Sequence, residues 1–388
     1  MIALPPLALY IHVPWCVRKC PYCDFNSHEA AAALPEADYV RALLMDARQQ
    51  LAGVQGRQIA SVFIGGGTPS LFSPESYQTL FDGLRSMFAF AVDAEITLEA
   101  NPGTVEQARF TGYREAGINR LSIGVQSFDP LQLQKLGRIH GRDDAVRAAE
   151  TARAAGFTNF NLDLMHGLPG QGVDMALADL EQAIALAPTH LSWYQLTIEP
   201  NTVFYRERPL LPEDDALWAI QEAGQARLAA AGYEQYEVSA YARHGHQCRH
   251  NRLYWEFGDY LAIGAGAHGK ITHADGEHAG IWRHARTRLP RDYLAGLNTG
   301  LNTGRFGPEA ARVDNDELAF EFMLNALRLR DGVSSVLFAE RTGLALERIA
   351  PVLADLRRRK LLVPDENRLA CTATGFNYLN QVLNAFLA

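Results

Sequence analysis

Between residues 7 and 198 short apolar runs alternate with amphipathic stretches, and no other feature of the sequence limits its fold as much. Strand candidates are Leu7–Val13, Ile59–Ile64, Ala94–Ala100, Leu121–Ser127, Asn159–Met165 and Leu191–Ile198. Helical spacing between them predicts helices over Asp38–Leu51, Pro74–Phe88, Val105–Ala116, Asp143–Ala155 and Asp174–Ala185, several ending near glycine. Such a series makes an α/β fold of parallel strands joined by crossover helices. The right hand of those crossovers curls the sheet into a barrel or part of one.

Side chains two apart on a strand share a face. In the third strand Ile96, Leu98 and Ala100 oppose Thr97, Glu99 and Asn101. In the fourth, Leu121, Ile123 and Val125 oppose Ser122, Gly124 and Gln126, and in the fifth Phe160, Leu162 and Leu164 oppose Asn161 and Asp163. A barrel packed only for stability fills its interior with branched apolar side chains, so a polar inner face predicts a ligand chamber. The alternative is a set of buried polar groups that satisfy one another.

The chain has 388 residues, a size that suggests one large domain and one small one. Residues 200–310 read as less regular, with glycine and histidine loops at Gly264–Gly269 and Asn298–Gly304. Beyond them the pattern turns helical over Asn315–Arg330, Val336–Thr342 and Leu346–Lys360, followed by a hairpin around Asp365–Asn367. We therefore expect a body over 1–310 and a small, mainly helical C-terminal domain of winged-helix outline over 311–388. A formal charge of −8 provides no global attraction for nucleic acid. The opening from Met1 to Leu9 lacks the charged start of a secretory signal, and no apolar stretch is long enough to span a bilayer. Three of the five cysteines fall between residues 16 and 23, an odd and clustered pattern that suits a metal site in a cytoplasmic protein better than a disulfide frame. Any membrane contact would be peripheral.

Cys16, Cys20 and Cys23 follow the first strand directly, where barrel active sites gather. A cubane cluster bound by three thiolates keeps one iron open to a small molecule, whereas full protein ligation uses four. Zinc is the rival, with His12 or His28 as a fourth ligand. The Cys-x3-Cys-x2-Cys spacing resembles the radical S-adenosylmethionine (SAM) superfamily. Its flanks, Tyr10 to Cys23 with Asp-Phe-Asn-Ser-His after them and Gly65-Gly-Gly-Thr-Pro-Ser70, resemble the branch of oxygen-independent coproporphyrinogen III oxidase and its haem-chaperone relatives.

That resemblance extends over nearly the whole chain and implies a three-quarter barrel holding a [4Fe-4S] cluster on Cys16, Cys20 and Cys23. It also implies SAM on the open iron, cleaved on reduction to methionine and a 5'-deoxyadenosyl radical, and hence an electron donor. By the same resemblance Glu99 meets the SAM amine, Arg138 the carboxylate and Asp163 the ribose, with Gln126 beside them. Tyr22 packs on adenine, Gly66, Gly67 and Thr68 border the methionyl group, and Tyr10 stands near the cluster.

Three departures separate this chain from the oxidase. Phe25 stands where the oxidase motif has a fourth cysteine, only nine residues precede Tyr10, and His250-Asn251-Arg-Leu-Tyr254-Trp255 matches the HNxxYW motif of the haem chaperones. Imidazole is a common haem ligand and aromatic rings stack on porphyrin faces. The resemblance thus implies haem carried for transfer to apo haem enzymes, without coproporphyrinogen III decarboxylation. Two further readings concern other segments. His244, His246, Cys248 and His250 would share one face if that run were a strand, and Cys371 reads as a small buried hydrophobe. DNA binding through the C-terminal domain is the rival from another class. Its basic run Arg357-Arg-Arg-Lys360, however, lies where it can simply complement a helix dipole.

Overall fold

Leucine, isoleucine and valine at the alternating positions pair into a single sheet in the computed structural model, which describes residues 2–30, 33–104, 107–298 and 306–387. The expected helix start at Val105 and most of the Asn298–Gly304 loop lie outside the described residues. Six strands come from the alternating region: β1 (Leu7–Val13), β2 (Ile59–Gly66), β3 (Phe90–Ala100), β4 (Arg120–Gln126), β5 (Phe160–His166) and β6 (His190–Gln195). They are parallel and adjacent in chain order. Numbering only the longer helices, α1 (Glu36–Gln49), α2 (Pro74–Met87), α3 (Gln107–Glu115), α4 (Arg142–Ala154) and α5 (Val173–Ala185) connect them. Start signals are local: Ser73 caps α2 by accepting from the Ser76 N–H, and Pro74 takes the first helical position, where no N–H is needed.

Residues 200–310 are more ordered than their sequence suggests. They add helix α6 (Asp214–Ala230), strands β7 (Glu234–Glu237) and β8 (Ala240–Ala242), helix α7 (Arg249–Trp255), and strands β9 (Asp259–Ile263), β10 (His268–His273) and β11 (Gly280–Ala285), with β12 (Ala311–Arg312) after them. The sheet runs β12-β11-β10-β9-β1-β2-β3-β4-β5-β6-β8-β7 and stays open. Only β9 of the added strands is parallel to its barrel neighbour, β1. The Glu-Gln-Tyr-Glu of β7 and the two residues of β12 carry no apolar alternation, so neighbouring strands, not composition, make them strands.

One apolar core fills the space between sheet and helices, from Leu7 to Phe306. A second joins the C-terminal helices α8 (Asn315–Ala326), α9 (Val336–Thr342) and α10 (Ala350–Arg358) to Tyr236, Phe257 and Ile281 of the body. The hairpin bridges Leu362 to Cys371, and Val333–Ser334 pairs with Arg368–Leu369 beside it. Cys371 is buried in that second core. Arg357 donates to the carbonyls of Val363, Asp365 and Arg368, while Arg358 and Arg359 pair with Asp355, so the basic run is used within its own domain. Among the described residues no helix is long and apolar enough to cross a membrane.

Candidate functional site

The cysteines lie on the loop that leaves β1. Trp15–Cys16 forms a short parallel ladder with His28–Glu29, and the Cys23 N–H closes a turn on the Cys20 carbonyl at 3.1 Å. The glycine run of β2 packs under this loop. The Gly67 N–H donates to Val13 and the Thr68 N–H to Trp15, and a Cβ on Gly67 would lie 2.5 Å from the Trp15 carbonyl. Gly66 has φ +114°, and a Cβ there would lie 2.4 Å from the His12 ring. These two glycines therefore let two backbones approach closely.

His12 is fully engaged. Its Nε2–H donates to the Asn26 carbonyl at 2.9 Å, which leaves Nδ1 to accept from the Tyr10 hydroxyl at 3.0 Å. His28 borders a different cavity, away from the three thiols. Burial raises the Cys16 and Cys23 thiols above the ordinary range.

A cavity of about 330 Å³ opens at the carboxyl ends of the barrel strands. Cys16, Cys20 and Cys23 border it with Tyr22, Gly66, Gly67, Thr68, Glu99, Gln126, Arg138 and Asp163. Every inward polar position expected to contact SAM thus lies on one chamber, whereas Tyr10 stands behind it against His12 and His250. The Gly66 N–H donates to Glu99 Oε2 at 3.1 Å, and burial, with the Asp163 charge, lifts the Glu99 carboxyl to about 8. Asp163 accepts from Ser122 at 3.0 Å and Asn161 at 2.8 Å, yet burial still raises its pKa. Arg138 donates to the Gly124 carbonyl at 2.5 Å and to Cys20 Sγ at 3.5 Å. Its Nε is buried without a partner.

Sequence reasoning missed several lining residues. Ser192 and Tyr194 border the chamber, and Tyr194 donates to Gln126 Oε1 at 2.7 Å. The alternation that singled out Glu99 holds in β6 as well, so this signal was present. Glu237 and Ser239 also border the chamber, but they come from the end of the short strand β7 and the turn after it, where the sequence carries no signal.

The HNxxYW segment is helix α7, which corrects the strand reading of His244–His250. Cys248 is its N-cap residue, and the N–H groups of Arg249 and His250 donate to Glu95 Oε1, a carboxylate suited to a helix start. Cys248 is buried, its thiol donating to Glu95 at 3.5 Å. Among the described residues no three His, Cys, Asp or Glu side chains converge to hold a single metal ion. His250 is 8% exposed, its Nδ1 lies 3.2 Å from Ser61 Oγ, and its ring packs on Phe63. Burial lowers its pKa to about 3. Asn251 and Trp255, one turn apart, border the chamber. Tyr254 borders a second cavity of about 850 Å³ between α7 and α8, and Trp255 borders both.

Comparisons with known proteins agree with this arrangement. Residues 10–183 match the radical SAM superfamily, and residues 313–377 match the HemN C-terminal domain. The chain is 52% identical to the heme chaperone HemW of Escherichia coli, with the whole of both chains covered. It is 35% identical to the heme chaperone HemW of Bacillus subtilis over 97% of this chain and 98% of the relative. The solved coproporphyrinogen III oxidase (HemN) of Escherichia coli has the same fold, with a TM-score of 0.81 at 23% identity, covering 99% of this chain and 90% of that one. A protein so matched along its full length, with its cysteine loop, inward carboxylates and HNxxYW helix gathered around one chamber, belongs to the HemW family of the radical SAM superfamily.

Proposed function

We propose that this protein binds haem and delivers it to apo haem enzymes of the cytoplasm or of a membrane it touches only through them. In this reading it carries a [4Fe-4S] cluster on Cys16, Cys20 and Cys23 and holds SAM beside it. The observation that carries the reading is the shared chamber, bordered at once by the three thiols, by Glu99 and Asp163, and by Asn251 and Trp255 of the HNxxYW helix.

The residues fit both groups. Three thiols on one cavity, with His12 tied up and His28 elsewhere, suit a cluster better than a four-ligand zinc ion. The buried, unpartnered Arg138 Nε suits an anionic ligand in the chamber. When bound, the cluster supplies one-electron reduction of SAM from an external donor. Glu99 would take the ammonium group, and Arg138 would take the carboxylate through its free Nε while its two terminal nitrogens hold Cys20 and the Gly124 carbonyl. Asp163, preset by Ser122 and Asn161, takes the ribose hydroxyls, with Gln126 next to it. Tyr22 covers the adenine, and Gly66, Gly67 and Thr68 form the methionyl side. The half-buried position of Glu99, Asp163 and Arg138 lowers the local dielectric and strengthens each pairing.

Phe25, in place of the oxidase's fourth cysteine, is 62% exposed at the chamber. It removes a part of the oxidase site and adds no group for a propionate. Anaerobic titration of the reconstituted protein with haem, followed by activation of an apo haem enzyme, tests the reading. Haem transfer without conversion of coproporphyrinogen III to protoporphyrinogen IX is the expected result. Steady coproporphyrinogen turnover, or no transfer to any acceptor, would return the chain to the oxidase alternative.

A further inference from the structure

The HNxxYW helix offers two kinds of iron ligand, and the fold treats them in opposite ways. His250 is sealed against Ser61, Phe63 and Tyr10, and Arg120 opposes its charged form as burial does. Tyr254 borders the cavity of about 850 Å³ between α7 and α8. The chamber on the other side of Trp255 measures about 330 Å³ and already serves SAM in the reading above.

The larger cavity sets flat apolar walls beside two arginines, with Asp316, Glu317 and Glu321 also on its border. Trp255, Phe320 and Leu324 give it flat and apolar walls, and Leu324 stands 40% exposed at its edge. Arg283 and Arg328 border it as well. Arg328 lies over the Trp255 ring at 4.3 Å and pairs through one terminal nitrogen with Glu237 at 3.4 Å, while Arg328 Nε and Trp255 Nε1 are both buried there without a hydrogen-bond partner. Glu321 holds Arg283 at 2.5 Å, but a guanidinium has five N–H groups and can serve another oxygen. Protein ligands to haem iron are chiefly His, Cys, Met and Tyr, and Tyr254 is the one lining residue of those types. Its oxygen accepts from the Tyr260 hydroxyl at 3.3 Å, and the Tyr260 oxygen accepts from Arg283 at 2.7 Å.

We propose that haem sits in this outer cavity, with Tyr254 as its iron ligand and Arg328 taking a propionate, and that His250 holds the helix in place without touching iron. The proposal rests on the haem-chaperone reading. On binding ferric haem, the Tyr254 oxygen forms the iron bond, its O–H bond breaks and the proton passes to solvent.

The full-length, cluster-reconstituted protein, titrated anaerobically with ferric haem, tests this by absorption and EPR. The expected spectrum is that of high-spin ferric tyrosinate. Tyr254→Phe should abolish it and weaken binding about tenfold or more, the effect of losing a charge-assisted contact. His250→Gln should keep it. Leu324→Trp, at the exposed edge, should block haem while SAM still perturbs the EPR signal of the reduced cluster. Arg328→Gln should remove the preference for haem over its dimethyl ester. An imidazole-type spectrum that survives Tyr254→Phe and vanishes in His250→Gln would overturn the proposal and leave the chaperone reading standing. A wild-type protein that binds no haem defeats both.

Discussion

The inner chamber and the outer cavity share one wall, Trp255, and are built in opposite ways. Strand ends supply the chamber's inward polar groups: Glu99 from β3, Gln126 from β4, Asp163 from β5, and Ser192 and Tyr194 from β6. Their polar atoms are preset by one another and by backbone, so the chamber is stiff and its charges are tuned by burial. The outer cavity is assembled from α7, β11, α8 and the chain end, its aromatic and aliphatic walls alternate with charged side chains such as Arg283, Glu317 and Arg328, and Leu324 and Leu387 are exposed at it. A rigid polar chamber suits a small charged cofactor that must be held in register. A cleft between helices, edged by exposed leucines at the surface, suits a cargo that has to leave.

Removing a thiol should break the symmetry between the two most completely. Changing any one of Cys16, Cys20 or Cys23 to Ala should abolish the cluster, read as iron and sulfide content after anaerobic reconstitution. Haem affinity should change far less, since none of the three thiols borders the outer cavity. A cluster that persists in Cys20→Ala would refute the assignment of the ligands.

Next in size are the chamber carboxylates. Glu99→Ala and Asp163→Ala should each weaken SAM binding about 10- to 100-fold while the cluster stays intact, because each removes a charge-assisted contact. The readout is the SAM concentration needed to perturb the EPR signal of the reduced cluster. Equal loss of haem binding in either variant would show that the two cavities are one site.

A smaller and more diagnostic effect is the pH dependence of Glu99. Its folded pKa of about 8 is above the ordinary glutamate value, so between the two the folded protein keeps a proton that the unfolded chain has released. Stability from this group is therefore greatest below the ordinary glutamate pKa and falls as pH rises to about 8. The ammonium of SAM needs the carboxylate, so affinity should rise over the upper part of the same range. Glu99→Gln should flatten both trends, and because the ligand's own amine titrates in either protein, the difference isolates Glu99. Chemical denaturation and SAM titration at several pH values measure them, and parallel slopes in wild type and variant would count against the pairing.

The smallest effect should come from the basic run of the C-terminal domain. Arg357→Ala should cost about 1 kcal/mol of stability by freeing three carbonyls of the hairpin, with no change at either cavity. Salt-dependent DNA binding lost in this variant would instead revive the nucleic-acid reading.

The sequence alone determined the parallel β/α series and which side chains of β3, β4 and β5 turn inward, because strand alternation and helix spacing are local properties that survive without tertiary contacts. The cysteine spacing and the HNxxYW run were legible for the same reason, as short contiguous motifs. Tertiary structure decided the rest. It made strands of polar segments such as Glu234–Glu237 by pairing them, and a helix of Arg249–Trp255 by placing Glu95 at its start. It sealed His250 inside while leaving Tyr254 on a cavity whose other walls lie up to more than a hundred residues away in the chain. No local pattern encodes which side of a short helix will meet a distant domain, because that choice is made by the packing energy of the whole core.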